Sequence, residues 1–494
     1  MTTADPYDQV AYVSTPVRAS HPPHLTTIAR VHGLEVPELE TARVLELGCA
    51  TGVNLMSLAQ QFPRASFHGV DLSAQQIATG QSLAARAGLE NLKLEHRSIA
   101  DIGPADGPYD FIIAHGVYSW VPPDIQEKLL AICATNLSPR GLAYVSYNCF
   151  PGWHQRLVVR DLMGYRGARF EDPRERVAEA RAALERIAGA ADADDPYGRS
   201  LKNQATTLKS ARDDYILHEY LEIDNSPVYF HQFVSKAAAS GLRFVAEATF
   251  PTGSALLVTG ELRAAIEPMA RDIIEQEQYV DFIHNRAFRR TILCRDDRTV
   301  SRRVTPERLR GMLLSTDFEP QATEGRLTMF IDPSGAKFQS VDPRLTLALT
   351  RLSSYFPRTL RFESLVDYVV RQTPGAQAAS ARAPVEALLL GAYLHGALEC
   401  RTVEPAQAWE VSERPLGASL ARAQARDGAL VTTLRHYATK LDDFERALLG
   451  ALDGKTTIEA LQRDERLRAA APQGESGAVR AGLERLLRLG LLSA

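Results

Sequence analysis

A glutamate, two glycines and an aspartate carry the first chemical signal. They stand in VLELGCATG (44–52) and FHGVDLS (67–73), as Glu46-x-Gly48-x-x-x-Gly52 with Asp71 on the following segment. β-rich residues run up to each acid, so each stands at the end of a strand. A glycine just past a strand permits a left-handed turn and lets a ligand lie against bare backbone. A carboxylate ending the next strand can accept two charge-assisted hydrogen bonds from a vicinal diol, about 1.5–3 kcal/mol each. A dinucleotide fingerprint GxGxxG is excluded, because Ala50 and Val53 occupy its second and third glycine positions. The GK[ST] of a phosphate loop is absent here. GALDGKT (450–456) imitates one, but it is a residue short and follows a helical pattern.

These residues need a scaffold that brings strand ends together. Short strands at 42–47, 67–71, 92–96, 109–114 and 141–147 alternate with helical patterns at 52–61, 74–87 and 124–136. That alternation predicts right-handed βαβ units, hence an α/β, Rossmann-like parallel sheet with its crevice at the carboxyl ends. Ser73 is a predicted N-cap. Residues 150–225 read as a helical insertion, RFVAEATF (243–250) as a further strand, and FRRTILCR (288–295) as the closing one. Beyond residue 300, RLTMFIDPSGAKFQSVD (326–342) carries a hairpin signature, QTPGAQAASARAP (372–384) reads as a linker, and the last ~60 residues have winged-helix-like spacing. The expected domains are 1–300, with a lid at 1–40 and an insertion or regulatory region at 150–225, then a middle α/β module at 301–430 and a mostly α winged-helix-like module at 431–494.

The E-x-G-x-x-x-G turn resembles that of class I S-adenosylmethionine (SAM) methyltransferases. YDQVAY (7–12), AHGVYSWVP (114–122), SYNCFPGW (146–153), LHEYLEIDNSPVYFHQFV (217–234) and QYVDFIHNRAFRRTILCR (278–295) resemble bacterial methyltransferases with a methyltransferase regulatory domain, a group that includes lysine methyltransferases of outer-membrane proteins. Ala11 stands where that group commonly has proline. The resemblance implies SAM as cofactor, a middle domain beside the active site, and C-terminal modules that help hold a polypeptide. The cofactor set is Tyr7, Tyr12, Glu46, Gly48, Cys49, Gly52, Asn54, Asp71, Leu72, Ser98, Ile99 and His115. In it Glu46 orients the loop or meets the ammonium, Asp71 takes the ribose, and Tyr7 and Tyr12 form a lid or a surface staple. Ala50, in place of the usual middle glycine, is tolerable if its backbone is not left-handed.

The methyl group should face residues after the fourth and fifth strands. Tyr118, Trp120, Tyr147, Asn148 and Trp153, with His218 and Tyr220, are the substrate-channel candidates; core packing competes for the aromatics, and helix capping competes with a substrate role for His218, Glu219 and Tyr220. His115 reads equally as a core histidine. Aromatic faces suit a lysine, whose cation they hold and whose amine they desolvate.

With 494 residues, 45% hydrophobic and 23% charged, the chain is an ordinary globular protein of about three units. A net charge of −4 gives no global field for nucleic acid. No two of the five cysteines stand at CxxC spacing, so no metal site is expected. No signal peptide or membrane span is evident, and a cytoplasmic location is expected. Three functions remain open: lysine methylation of a polypeptide, methylation of a small-molecule or peptide natural product, and SAM binding by an adaptor without turnover.

Overall fold

Seven strands form the central sheet of the computed structural model, which describes residues 14–222, 224–250, 254–255, 258–373, 378–471 and 477–494. Helix α1 (Pro22–Val31) precedes the first unit: β1 (Arg43–Leu47), α2 (Val53–Gln61), β2 (Ser66–Asp71), α3 (Ala74–Ala87), β3 (Leu92–His96), β4 (Tyr109–Ala114), α4 (Pro123–Asn136) and β5 (Leu137–Asn148). Ser73 caps α3 as expected, its side chain accepting from the Gln76 N–H at 3.1 Å. An insertion of α5 (Gly152–Gly167), α6 (Pro173–Ala190), α7 (Pro196–Lys209) and α8 (Asp213–Tyr220) closes its own core around Met163, Leu184 and Leu217. The chain then returns through α9 (Phe230–Ala239), β6 (Leu242–Glu247), α10 (Gly260–Ile266), α11 (Ile273–His284) and β7 (Phe288–Arg295).

The sheet order is β3-β2-β1-β4-β5-β7-β6, parallel through β5 and antiparallel at β7. The order reverses between β1 and β4, which opens a crevice above Glu46 and Ala114. β7 closes the sheet in chain order, as its sequence suggests, but is not an edge strand. It enters between β5 and β6, which leaves β6 on the edge and Arg289 and Thr291 fully buried. Strand alternation separates two cores. Val44, Phe111, Ile113 and Tyr144 face one; Leu45, Ile112, Ala114 and Tyr147 face the other.

Helix α1 bolts the next module to the sheet. His24 meets the Ala248 carbonyl, Thr26 the Thr402 hydroxyl at 2.9 Å, and Thr27 donates to the Cys400 carbonyl. That module holds a three-stranded sheet of β8 (Leu313–Ser315), β12 (Leu360–Arg361) and β13 (Glu399–Arg401). The expected hairpin is a three-stranded meander: β9 (Glu319–Glu324) pairs with β10 (Leu327–Ile331), which turns at Asp332 into β11 (Lys337–Ser340). Helices α12 (Pro343–Tyr355), α13 (Phe362–Gln372) and α14 (Ala378–Leu394) cover it. The expected linker is therefore helical from Ala378. Its alanines favour helix, and burial of Val385 and Leu389 outweighs Pro384 inside it.

The C-terminal core runs from Ala418 to Leu492, so it begins before the expected 431. It takes in α15 (Ser419–Ala425), the β14 (Leu430–Thr432) and β15 (Ala438–Lys440) wing, α16 (Asp443–Ala451), α17 (Ile458–Arg463), α18 (Glu465–Ala470) and α19 (Ala478–Arg488). Asp464 caps α18. This unit sits on the outer helices of the sheet domain: Arg86 forks onto Asp427, and His436 Nδ1 meets Ser57 Oγ at 2.9 Å. Among the described residues, no helix is long and apolar enough to cross a membrane.

Candidate active site

The strand–turn–helix that ends β1 builds the floor of the crevice. Gly48 and Gly52 have φ of +69° and +73°. A Cβ on Gly48 would stand 2.5 Å from Val117, and one on Gly52 would stand 2.7 Å from Leu94, so both positions demand glycine twice over. Ala50 is left-handed as well, at φ +50°. The condition that would have made alanine harmless fails, and the strain is held by Asp71, whose Oδ2 accepts from the Ala50 N–H at 2.8 Å. Oδ1 of Asp71 accepts from the Ser73 N–H at 2.9 Å. Asp71 thus locks the glycine loop to the next strand.

Glu46 is 4% exposed. Its Oε1 accepts from Asn54 Nδ2 at 2.8 Å, while Oε2 is buried with no hydrogen-bond partner. Burial pushes this carboxyl up to about 8, against the pull of the Asn54 hydrogen bond. An orphaned, desolvated carboxyl at the mouth of a bare-backbone turn fits an ammonium ion, and hence the amino-acid end of SAM. Asn54 is committed to protein contacts. It also donates to Ser20 Oγ and accepts from the Val17 N–H at 2.8 Å, which draws the N-terminal segment over the loop. Ser14 Oγ reaches the Thr51 N–H at 3.5 Å. Tyr7 and Tyr12 lie outside the described residues. The Cys49 side chain packs inward against Gly69, and burial raises its thiol well above its ordinary value, so only its backbone borders the crevice.

Beyond Asp71, Leu72 is 61% exposed and offers an apolar face to a flat ring. Ser98 caps a 3-10 turn at Ile99–Asp101 by accepting from the Ala100 N–H, and Ile99 is buried there. His115, half-buried on the Tyr144 side of the sheet, brings Nδ1 to Tyr144 Oη (3.0 Å) and Ser146 Oγ (3.2 Å). Burial, with Arg290 adding repulsion, lowers it to about 4, so the ring is neutral at pH 7.

The aromatic candidates divide. Tyr118 and Tyr147 are 0% and 1% exposed in the opposite core. Tyr147 stacks on Phe233 at 4.0 Å and its hydroxyl meets Thr291 at 3.0 Å, while Tyr118 packs edge-on to both. Neither lines an open channel: strand parity turns Tyr147 away from His115. Tyr220 is likewise core of the insertion, and His218 is buried beside it. Trp120 and Trp153 stay together, edge to face at 6.4 Å, with Arg160 over the first ring and Arg156 over the second. Trp153 is fully buried, and its indole N–H has no hydrogen-bond partner. Asn148 donates to Asn225 Oδ1 at 3.0 Å, and its own N–H donates to Ser119 Oγ.

Several neighbours escaped the sequence reading. Ser146 fixes both His115 and the Gly116 N–H. Arg290 arrives opposite Ser146 from β7, and Asn225 comes from the segment after the insertion. Glu219, by contrast, is read in the sequence with His218 and Tyr220 as either a capping or a substrate residue; its carbonyl accepts from Arg160, and its carboxyl is raised to about 7 by burial, opposed by Arg156 and Arg160. Of Ser146, Arg290 and Asn225, only Ser146 had a signal, as a small polar residue two before the strand end. Among the described residues no cluster of metal-ligating side chains occurs.

Comparison with known proteins agrees with this geometry. The methyltransferase-domain family matches residues 44–141, the predicted methyltransferase regulatory domain 212–295, and the C-terminal winged-helix domain of PKMT 413–483. The regulatory match overlaps the expected 150–225 only at its end. A Rickettsia prowazekii protein is 31% identical over 478 residues, 93% of this chain and 86% of that one. PKMT2 from Rickettsia typhi superposes at TM-score 0.86 with 26% identity over 98% of this chain and all of that one, and its complex with AdoHcy matches equally well. A trans-aconitate 2-methyltransferase of Deinococcus radiodurans shares 34% over 110 residues, 22% of this chain and 39% of its own. The chain therefore belongs to the SAM-dependent methyltransferases of the PKMT type, in which a Rossmann-like catalytic domain is joined to a regulatory domain and a winged helix.

Proposed function

We propose that this methyltransferase modifies the ε-amino group of lysine in a polypeptide. The observation that carries the reading is the match to PKMT2 over 98% of the chain, reinforced by the PKMT winged helix. The trans-aconitate enzyme matches only the catalytic core and carries no substrate likeness beyond it. The five cysteines are buried free thiols, which suits the cytoplasmic location included in this proposal.

In this reading SAM supplies an electrophilic methyl group on its sulfonium. Glu46 meets its ammonium, Asp71 its ribose, Leu72 and Ile99 its adenine, and His115 borders the methyl. The acceptor approaches past Trp120 and Asn148. Presenting a neutral lysine amine at pH 7 costs about 4–5 kcal/mol. The Trp120–Trp153 pair, with Trp153 fully buried, reduces that cost by desolvation, and Glu219, raised to about 7, takes the proton at its carboxylate. Incubation with SAM and lysine-bearing proteins should yield methyl-lysine by mass spectrometry, at a rate that rises through pH 7 and loses that rise in Glu219→Gln. Turnover on small acids with none on any polypeptide would overturn the assignment.

Asp71→Ala tests the cofactor half separately. It removes the diol acceptor and frees the strained Ala50 turn, so AdoHcy affinity by calorimetry should fall about tenfold to a hundredfold. Unchanged affinity would defeat the site.

A further inference from the structure

Away from the crevice, the N-terminal segment, the middle module and the winged helix enclose a cavity of about 220 Å³ bordered by Arg18, Asp317, Phe356, Glu399, Arg401 and Arg435. Its charges are poorly matched. Glu399 serves two cations at once: it pairs with Arg18 and accepts from Arg401 at 2.9 Å. Arg435 lies 4.4 Å over the Phe356 ring and donates through Nε to Gln407 at 2.8 Å, but its Nη2 is buried with no hydrogen-bond partner. Among the described residues of the lining Asp317 is the further carboxylate, and Glu404 attracts Arg401 from beside it. Burial, with Arg401 adding repulsion against the pull of Tyr437 and Asp317, lowers Arg435 to about 10, and burial lowers Arg401 too. A guanidinium donor left without a partner in a desolvated wall is costly, and its planar fork is built for oxyanions.

We propose that this cavity binds a small oxyanion, the phosphate or carboxylate group of a metabolite, held by Arg435, Arg401 and Arg18. The occupant supplies the missing negative charge and the acceptor for Arg435 Nη2. It also ties the segment carrying Arg18 to the winged helix. Next to Arg18, the Val17 N–H is held by Asn54, which in turn holds Glu46. An anion here therefore braces the floor of the cofactor site from behind, and it should tighten AdoHcy binding.

Thermal unfolding of the full chain in inorganic phosphate, and separately in citrate, tests this at ionic strength matched with chloride. At least one of the two should raise the melting temperature saturably by about 2–4 °C. A phosphate shift identifies a phosphorylated ligand and a citrate shift a carboxylate. Arg435→Gln should abolish the shift. Because that change also strips packing from Phe356, Arg18→Gln on the solvent-open rim is the second arm; it should abolish the shift while AdoHcy binding without added anion remains. No shift beyond chloride in the wild type, or a shift retained in both variants, overturns the proposal. The readout needs no turnover, so it stands or falls apart from the lysine assignment.

Discussion

Glu46→Gln is expected to stabilise the cofactor-free protein at pH 8 and to weaken AdoHcy binding by about tenfold to a hundredfold. Both effects come from one orphaned oxygen. Burial pushes the Glu46 carboxyl up to about 8. Between the ordinary carboxyl value and about 8, the unfolded chain ionises Glu46 while the folded chain keeps its proton. The group therefore erodes stability as pH rises through that window, and costs nothing below it. Glutamine keeps the acceptor for Asn54 and removes the titration, so its advantage in melting temperature should grow from pH 5 to pH 8. An ammonium bound at Oε2 reverses the logic, because the charged pair favours ionised Glu46. Binding at pH 7 must then release up to one proton, visible as a dependence of calorimetric enthalpy on buffer ionisation heat. Equal proton release by wild type and Glu46→Gln would remove Glu46 from the cofactor site.

What the sequence disclosed follows from how local each constraint is. The glycine turn was legible because Gly48 and Gly52 answer to backbone dihedrals and near neighbours, and Asp71 because it ends an adjacent parallel strand. The left-handed Ala50 was not, since nothing in an alanine announces that a carboxylate on the next strand will hold it. The tyrosines of AYVSYN (143–148) show a second limit. Tyr144 and Tyr147 lie three apart on one strand, so they must face opposite cores, and sequence alone does not say which meets His115. It is Tyr144. Arg290 depended on β7 entering beside β5, a pairing set by burial of residues far along the chain. The seat of the winged helix on α2 and α3 rests on contacts between residues hundreds of positions apart, such as Leu420 and Ala423 in the core that holds Leu83 and Ala84, and His436 with Ser57, which no periodicity reports.

Arg289→Met should destabilise the fold by about 3–5 kcal/mol, the cost of leaving buried carboxylates without their cation. Arg289 is 0% exposed and lies 3.8 Å over the Phe230 ring. Its guanidinium contacts Glu247 at 3.0 Å, Glu277 at 3.1 Å and Asp281 at 2.7 Å. Methionine fills much of the volume but answers none of these charges; among the described residues Arg286, 3.1 Å from Asp281, and Arg302, which attracts Glu277, remain nearby. The stranded acids must bind protons to stay buried, which raises their folded values above the unfolded ones. The penalty should therefore shrink as pH falls from 8 towards 5, and Asp281→Asn in the same background should recover part of it. Urea unfolding measures both. The loss reaches the active site through β7: Glu247 also accepts from the Arg290 N–H and the Thr291 hydroxyl, and Thr291 holds Tyr147 while Arg290 faces Ser146 beside His115. A variant that loses less than 1 kcal/mol, with no pH dependence, would show that the network neither secures β7 nor supports the floor of the acceptor site.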